Sequence, residues 1–127
     1  AARLGLGYRY SALKNLVDLV GPGVAKDLFF TARRIQADEA REVGLINRVA
    51  EPEALEALLA EYREALAANA PLTVQAGKAI MAEILKPSPE IDHARCKQLI
   101  LDCFQSEDYA EGRRAFMDKR KPQFRGR

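Results

Sequence analysis

The groups in this sequence best able to do chemistry are cations and phenols rather than nucleophiles or metal ligands. Residues 113–127 hold seven Arg or Lys and a single Asp, a local charge of +6 in a chain of net charge +2. A basic end this concentrated suggests an anionic partner or a solvated tail. Its only neighbouring aromatics are Phe116 and Phe124. No stacking platform of the kind single-stranded nucleic acid needs is visible, so nucleic acid is not the expected partner. His93 is the only histidine, which removes a His-rich metal site and a Ser-His triad built from this chain. Cys96 and Cys103 are expected on one helix, where seven residues of rise is about 10 Å, beyond the roughly 7 Å limit for a disulfide. They read as reduced thiols on one face, which fits a cytoplasmic setting.

The elements that must position these groups are mostly helices. Ser106 is a suitable N-cap, and Glu107, Asp108 and Glu111 sit where the helix dipole favours negative charge. The spacing predicts a helix over residues 107–121, with Lys119, Arg120 and Lys121 at its positive-favouring end and Pro122 as its stop. Three further long helices are expected upstream. Residues 53–69 carry the stripe Leu55, Leu58, Leu59, Tyr62 and Leu66. Pro71 opens a helix with Leu72, Ala76, Ile80 and Ile84 inward, ended by Pro87 and Pro89. Residues 90–104 form the third.

Before residue 50 the elements are shorter. Residues 1–7 read as extended or irregular. Ser11 is read as the cap of a helix with Leu13, Leu16, Val17 and Val20 on one face, broken at Gly21-Pro22-Gly23. Pro22 then opens a short helix carrying Val24, Leu28 and Phe29. A third short helix over residues 37–43 is closed by Gly44. Leu45-Ile46-Asn47-Arg48-Val49 is the best strand candidate, although it has no obvious partner. The chain is therefore expected to be mainly α, with at most one or two short strands, divided into residues 1–52 and 53–127. The apolar content suits a modest core. No apolar run approaches the ~18 residues of a membrane span. The partnerless strand and the opening without a cap suggest the C-terminal part of a longer protein.

Three stretches carry a family resemblance. Phe30-Thr31-Ala32-Arg33-Arg34-Ile35-Gln36-Ala37-Asp38-Glu39-Ala40, followed by Val43-Gly44-Leu45-Ile46-Asn47-Arg48-Val49, is the first. Ala67-Ala68-Asn69-Ala70-Pro71-Leu72-Thr73-Val74 with Lys78 is the second. The third is the C-terminal order Ser106, Asp108, Glu111-Gly112, Ala115-Phe116, Lys119-Arg120, Pro122 and Phe124. In this order they resemble the C-terminal half of the enoyl-CoA hydratase/isomerase (crotonase) family. The resemblance implies the end of a ββα spiral core over residues 1–52. It also implies a helical region over residues 53–127 that packs subunits into trimers, often paired as hexamers.

The resemblance also implies roles. Lys119 matches a lysine that contacts the coenzyme A phosphates of a neighbouring subunit, a task suited to a mobile point charge. Tyr8, Arg9 and Tyr10 replace a glycine-rich loop and would line a reshaped acyl pocket. Phe116 is read as core or as lying near the adenine, and Ile100 and Leu101 as caps of a neighbour's acyl pocket. Family hydratases add water using two Glu residues, one of which would fall near Ala1. Residues 1–15 contain no carboxylate, so no catalytic residue is expected in this chain. Chemistry through a thioester enolate, with a lyase or isomerase outcome, is expected of the parent enzyme, and inactivity of this chain alone. No metal and no cofactor is expected beyond the coenzyme A thioester substrate. The alternative is a noncatalytic helical oligomerisation or binding module.

Overall fold

The computed structural model describes residues 2–127 and divides into two compact units, Ala1–Leu55 and Glu56–Arg127. In the first unit a 3-10 turn, Ala2–Leu4, contacts α1 (Tyr10–Thr31). This helix is interrupted at Gly21, whose φ of 76° and ψ of 162° are open to a residue without Cβ, and Pro22 restarts it at a position where no N–H is needed. The expected break is therefore present. The cap is not Ser11, which lies inside the first turn. Arg9 takes the extended N-cap conformation, and its carbonyl accepts from the N–H groups of Ala12 and Leu13.

The short helix α2 (Ala37–Glu42) ends at Gly44 as its sequence predicts. Gly44 has φ of 77°. Its N–H donates to the Arg41 carbonyl at 3.1 Å and the Leu45 N–H to the Ala40 carbonyl at 2.8 Å, the paired bonds of a Schellman motif. That motif explains why residues 45–49 are not a strand. Leu45 and Ile46 both spend their N–H groups on the Ala40 carbonyl, and no strand partner exists among the described residues. Arg33 ties the two helices together. Its guanidinium donates to Asp27 at 2.8 Å and grips both Glu39 oxygens, at 2.5 and 2.9 Å. This holds the arginine above and Glu39 below their ordinary pKa ranges.

In the second unit α3 (Leu55–Ala67, following a 3-10 turn at Pro52–Ala54), α4 (Pro71–Ile84), α5 (His93–Gln105) and α6 (Glu107–Met117) follow one another. α4 packs on α5, and α5 on α6. Pro71 occupies the first turn of α4, as expected. The inward line of α4 runs through Leu72, Ala76 and Ile80 to Glu83, and Ile84 is 69% exposed rather than inward. The reason is polar. The buried Glu83 carboxylate accepts from Lys86 Nζ at 2.7 Å and from the Asp92 N–H at 3.0 Å. The backbone donor first, then the lysine, lowers its pKa. Asp92 in turn caps α5 by accepting from the Arg95 N–H at 2.8 Å.

The apolar stripes are present but largely uncovered. Leu55, Leu59, Tyr62 and Leu66 on α3 are exposed, as are Phe104, Phe116 and Met117. The buried apolar residues are Ala25, Ala40, Ala76 and Ala115, so large side chains form no enclosed core among the described residues.

Candidate ligand-contact site on the C-terminal helix

Ser106 starts α6 and joins it to α5. Its hydroxyl accepts from the Tyr109 N–H at 3.0 Å and donates to the Cys103 carbonyl at 2.7 Å. The N-terminal half of α6 carries three acids. All of them hold the basic tail. Asp108, 3% exposed, accepts from the N–H groups of Arg125 and Gly126 at 2.6 and 2.7 Å. Glu111 accepts a two-pronged grip from Arg120, at 2.6 and 3.0 Å, and the Gln123 N–H at 3.0 Å. Arg120 first, then this N–H, pulls the Glu111 carboxyl down to about 2. Glu107 pairs with Arg127 at 3.0 Å. The tail is therefore clamped along the helix while most of its side chains stay exposed, and Phe124 covers Gly112.

The helix ends at Met117, before Pro122 is reached. Lys119 has φ of 52°, the left-handed conformation, which costs an L-residue roughly 1–2 kcal/mol. Its N–H donates to the Phe116 carbonyl at 3.2 Å and that of Arg120 to the buried Ala115 at 3.0 Å. This is again a Schellman closure, here with lysine where glycine is usual. The neighbours Asp118 and Arg120 pair at 3.5 Å. The Lys119 side chain is exposed, with no ion pair among the described residues.

Phe116 is 82% exposed, which corrects its reading as core. It lines a groove of about 500 Å³ with Phe104, Tyr109, Arg113 and Phe124. Phe104 and Tyr109 meet in a T-shaped contact at 5.1 Å, and the Arg113 guanidinium lies 5.8 Å from the Tyr109 ring centre. Lys119 and Phe116 thus share one helix end beside an aromatic groove. Ile100 and Leu101 are exposed on α5. Cys96 and Cys103, both on α5, are half-buried free thiols.

Tyr8 and Tyr10 belong to the other unit, and the structure separates them. Tyr8 meets Phe29 in a T-shaped contact at 5.4 Å and lines a cavity of about 280 Å³ with Leu16, Leu28 and Arg33. Tyr10 is 80% exposed and not part of that lining. The sequence reading missed Asp108, Glu111 and Arg120, having assigned the acids to the helix dipole. The available signal was the three-residue spacing of two acids on one helix followed by a basic tail. Among the described residues no group of acids, histidines and cysteines could hold a metal, and no helix is long and apolar enough to cross a membrane.

The enoyl-CoA hydratase/isomerase family model matches residues 1–127. The chain is 35% identical over 118 residues to the short-chain-enoyl-CoA hydratase of Clostridium acetobutylicum, covering 93% of this chain and 45% of that protein. It is 34% identical over 129 residues to the methylmalonyl-CoA decarboxylase of Escherichia coli, covering 97% of this chain and 48% of that protein. Among solved structures, an enoyl-CoA hydratase/isomerase family protein from Hyphomonas neptunium superposes with a TM-score of 0.85 at 36% identity. That match covers 99% of this chain and 48% of the other. The chain spans about half the length of the curated relatives it matches.

Proposed function

Because the chain belongs to the enoyl-CoA hydratase/isomerase family, we propose that it is the subunit-packing and coenzyme A phosphate-contacting half of an acyl-CoA enzyme. The observation that carries this reading is the family match across all of residues 1–127, with relatives that include hydratases and a decarboxylase acting on acyl-CoA thioesters. Those reactions share one electronic demand. Negative charge developing on the thioester oxygen must be stabilised, which preorganised N–H donors do best. In this proposal the whole protein stabilises a thioester enolate, with a lyase or isomerase outcome. No catalytic residue comes from residues 1–127, and no cofactor is used beyond the coenzyme A thioester itself. Lys119 meets the phosphates and Phe116 lies beside the adenine. Tyr8 and Tyr10 border the acyl group. The protein works as a homotrimer or hexamer in the cytoplasm.

The test is titration of coenzyme A into the protein that carries this chain, beside the Lys119→Ala variant. Weaker binding by the variant supports the reading, and equal binding removes Lys119 from the ligand site. Residues 1–127 alone are expected to leave a short enoyl-CoA unhydrated, and measurable turnover would overturn that expectation.

A second reading, a noncatalytic oligomerisation module, draws on the uncovered apolar faces of α3 and of the α6 end. Concentration-dependent assembly in sedimentation, with neither coenzyme A binding nor turnover, would favour it.

A further inference from the structure

We infer that Glu111 and Arg120 are positioning residues for Lys119, holding its backbone so that its ammonium is presented to an anionic ligand. The inference rests on the reading of Lys119 as a phosphate contact and adds how the chain prepares it. Three observations converge on this one residue. Lys119 is held left-handed, at φ of 52°, where a lysine is disfavoured and a glycine would be at ease. Both of its flanks are fastened. The Arg120 guanidinium grips both oxygens of Glu111, at 2.6 and 3.0 Å, and lies 3.5 Å from Asp118. Beyond Arg120, the Gln123 N–H returns to the same Glu111 carboxylate at 3.0 Å. Glu111 thus fastens the chain just beyond Lys119 at two points, the Arg120 side chain and the Gln123 N–H.

The third observation is the contrast in charge. Arg120 and Arg127 are spent on Glu111 and Glu107, and Arg113 lies over the Tyr109 ring. Lys119 keeps its ammonium exposed and without an ion pair among the described residues, as do Arg114, Lys121 and Arg125, but of these four it alone has a left-handed backbone. A strained residue persists where its surroundings over-determine it, and such strain gathers at ligand sites. Here the surroundings include the Glu111–Arg120 pair, and the strained residue beside it is Lys119, with its ammonium exposed. The low carboxyl pKa of Glu111 keeps the clamp charged at neutral pH.

The experiment is a double-mutant cycle in the protein that carries this chain, read by its affinity for coenzyme A and for pantetheine, the phosphate-free fragment. Glu111→Gln is expected to weaken coenzyme A by about tenfold, the size of one charge-assisted contact, and to leave pantetheine unchanged. In a Lys119→Ala background the same substitution is expected to cost nothing more, because its effect passes through Lys119. Arg120→Lys keeps the charge but not the fork and carries the same expectation, so it decides the matter if Glu111→Gln fails to fold. Equal loss for coenzyme A and pantetheine, or a full loss in the Lys119→Ala background, would overturn the positioning role. If Lys119→Ala alone leaves coenzyme A binding intact, the phosphate reading itself falls. That result is distinct from a clamp that proves irrelevant beside an effective Lys119.

Discussion

Asp108 and Gly126 are eighteen positions apart in sequence and are joined by a 2.7 Å hydrogen bond from the Gly126 N–H to a buried carboxylate. The Arg125 N–H meets the other oxygen at 2.6 Å, and the Asp108 N–H returns the contact to the Arg127 carbonyl at 3.3 Å. Asp108→Ala would remove the acceptor of two tail N–H groups. The expected loss is about 2–3 kcal/mol of unfolding free energy, since charged hydrogen bonds are worth more than neutral ones. Guanidinium denaturation reads it, and limited proteolysis should show residues 119–127 released first. An unchanged midpoint would mean that the tail is not part of the cooperative unit.

Ser106 serves two helices at once, so its hydroxyl matters beyond an ordinary cap. It accepts from Tyr109 at the start of α6 and donates to the carbonyl of Cys103 at the end of α5. Ser106→Ala is expected to cost about 1 kcal/mol. Ser106→Thr, which keeps the oxygen, should recover most of that in the same denaturation assay. If both variants behave alike, the hydroxyl contributes nothing.

What the sequence could disclose was local. The Ser106 cap, Pro71 at the first turn of α4, the break at Gly21 and the Gly44 closure each depend on residues within one turn, and each is present. The errors arose where another demand overrode the pattern. The apolar run of residues 45–49 looks like a strand, yet its first N–H groups serve the end of α2. Ile84 has the inward spacing, but the buried Glu83 takes that direction to hold the Asp92 N–H. Nothing before Pro122 marks a helix end, because Lys119 adopts by constraint a conformation that sequence signals assign to glycine. For the candidate site, Phe116 and Lys119 are adjacent by sequence and could be named together. The Asp108 and Glu111 contacts span nine to eighteen positions and leave no periodic trace.

The Glu111 carboxyl sits near 2, below the ~4.3 of an unfolded chain. A depressed carboxyl stabilises the fold wherever it is ionised in both states. That contribution is complete above the unfolded value and fades as pH falls from about 5 toward 2. The denaturation midpoint of the unaltered protein should therefore drop more steeply over that window than that of Glu111→Gln, which has no proton to gain. Parallel pH profiles would show that Arg120 and the Gln123 N–H do not hold the carboxylate in solution.

Lys119→Gly separates backbone from charge. Glycine takes φ near 52° without a Cβ penalty, so relief of that strain offsets the added freedom of the unfolded chain. Stability is expected to hold or rise by up to about 1 kcal/mol. Coenzyme A affinity should fall all the same, because the ammonium is gone. Lys119→Ala loses the charge and keeps the strained φ, so it should match the glycine variant in affinity and fall below it in stability. Calorimetric titration and thermal unfolding of the two variants side by side measure both quantities. A glycine variant less stable than the alanine one would show that the left-handed turn is not retained in solution. Equal affinity across wild type and both variants would show that the residue carries its strain for a reason other than the ligand.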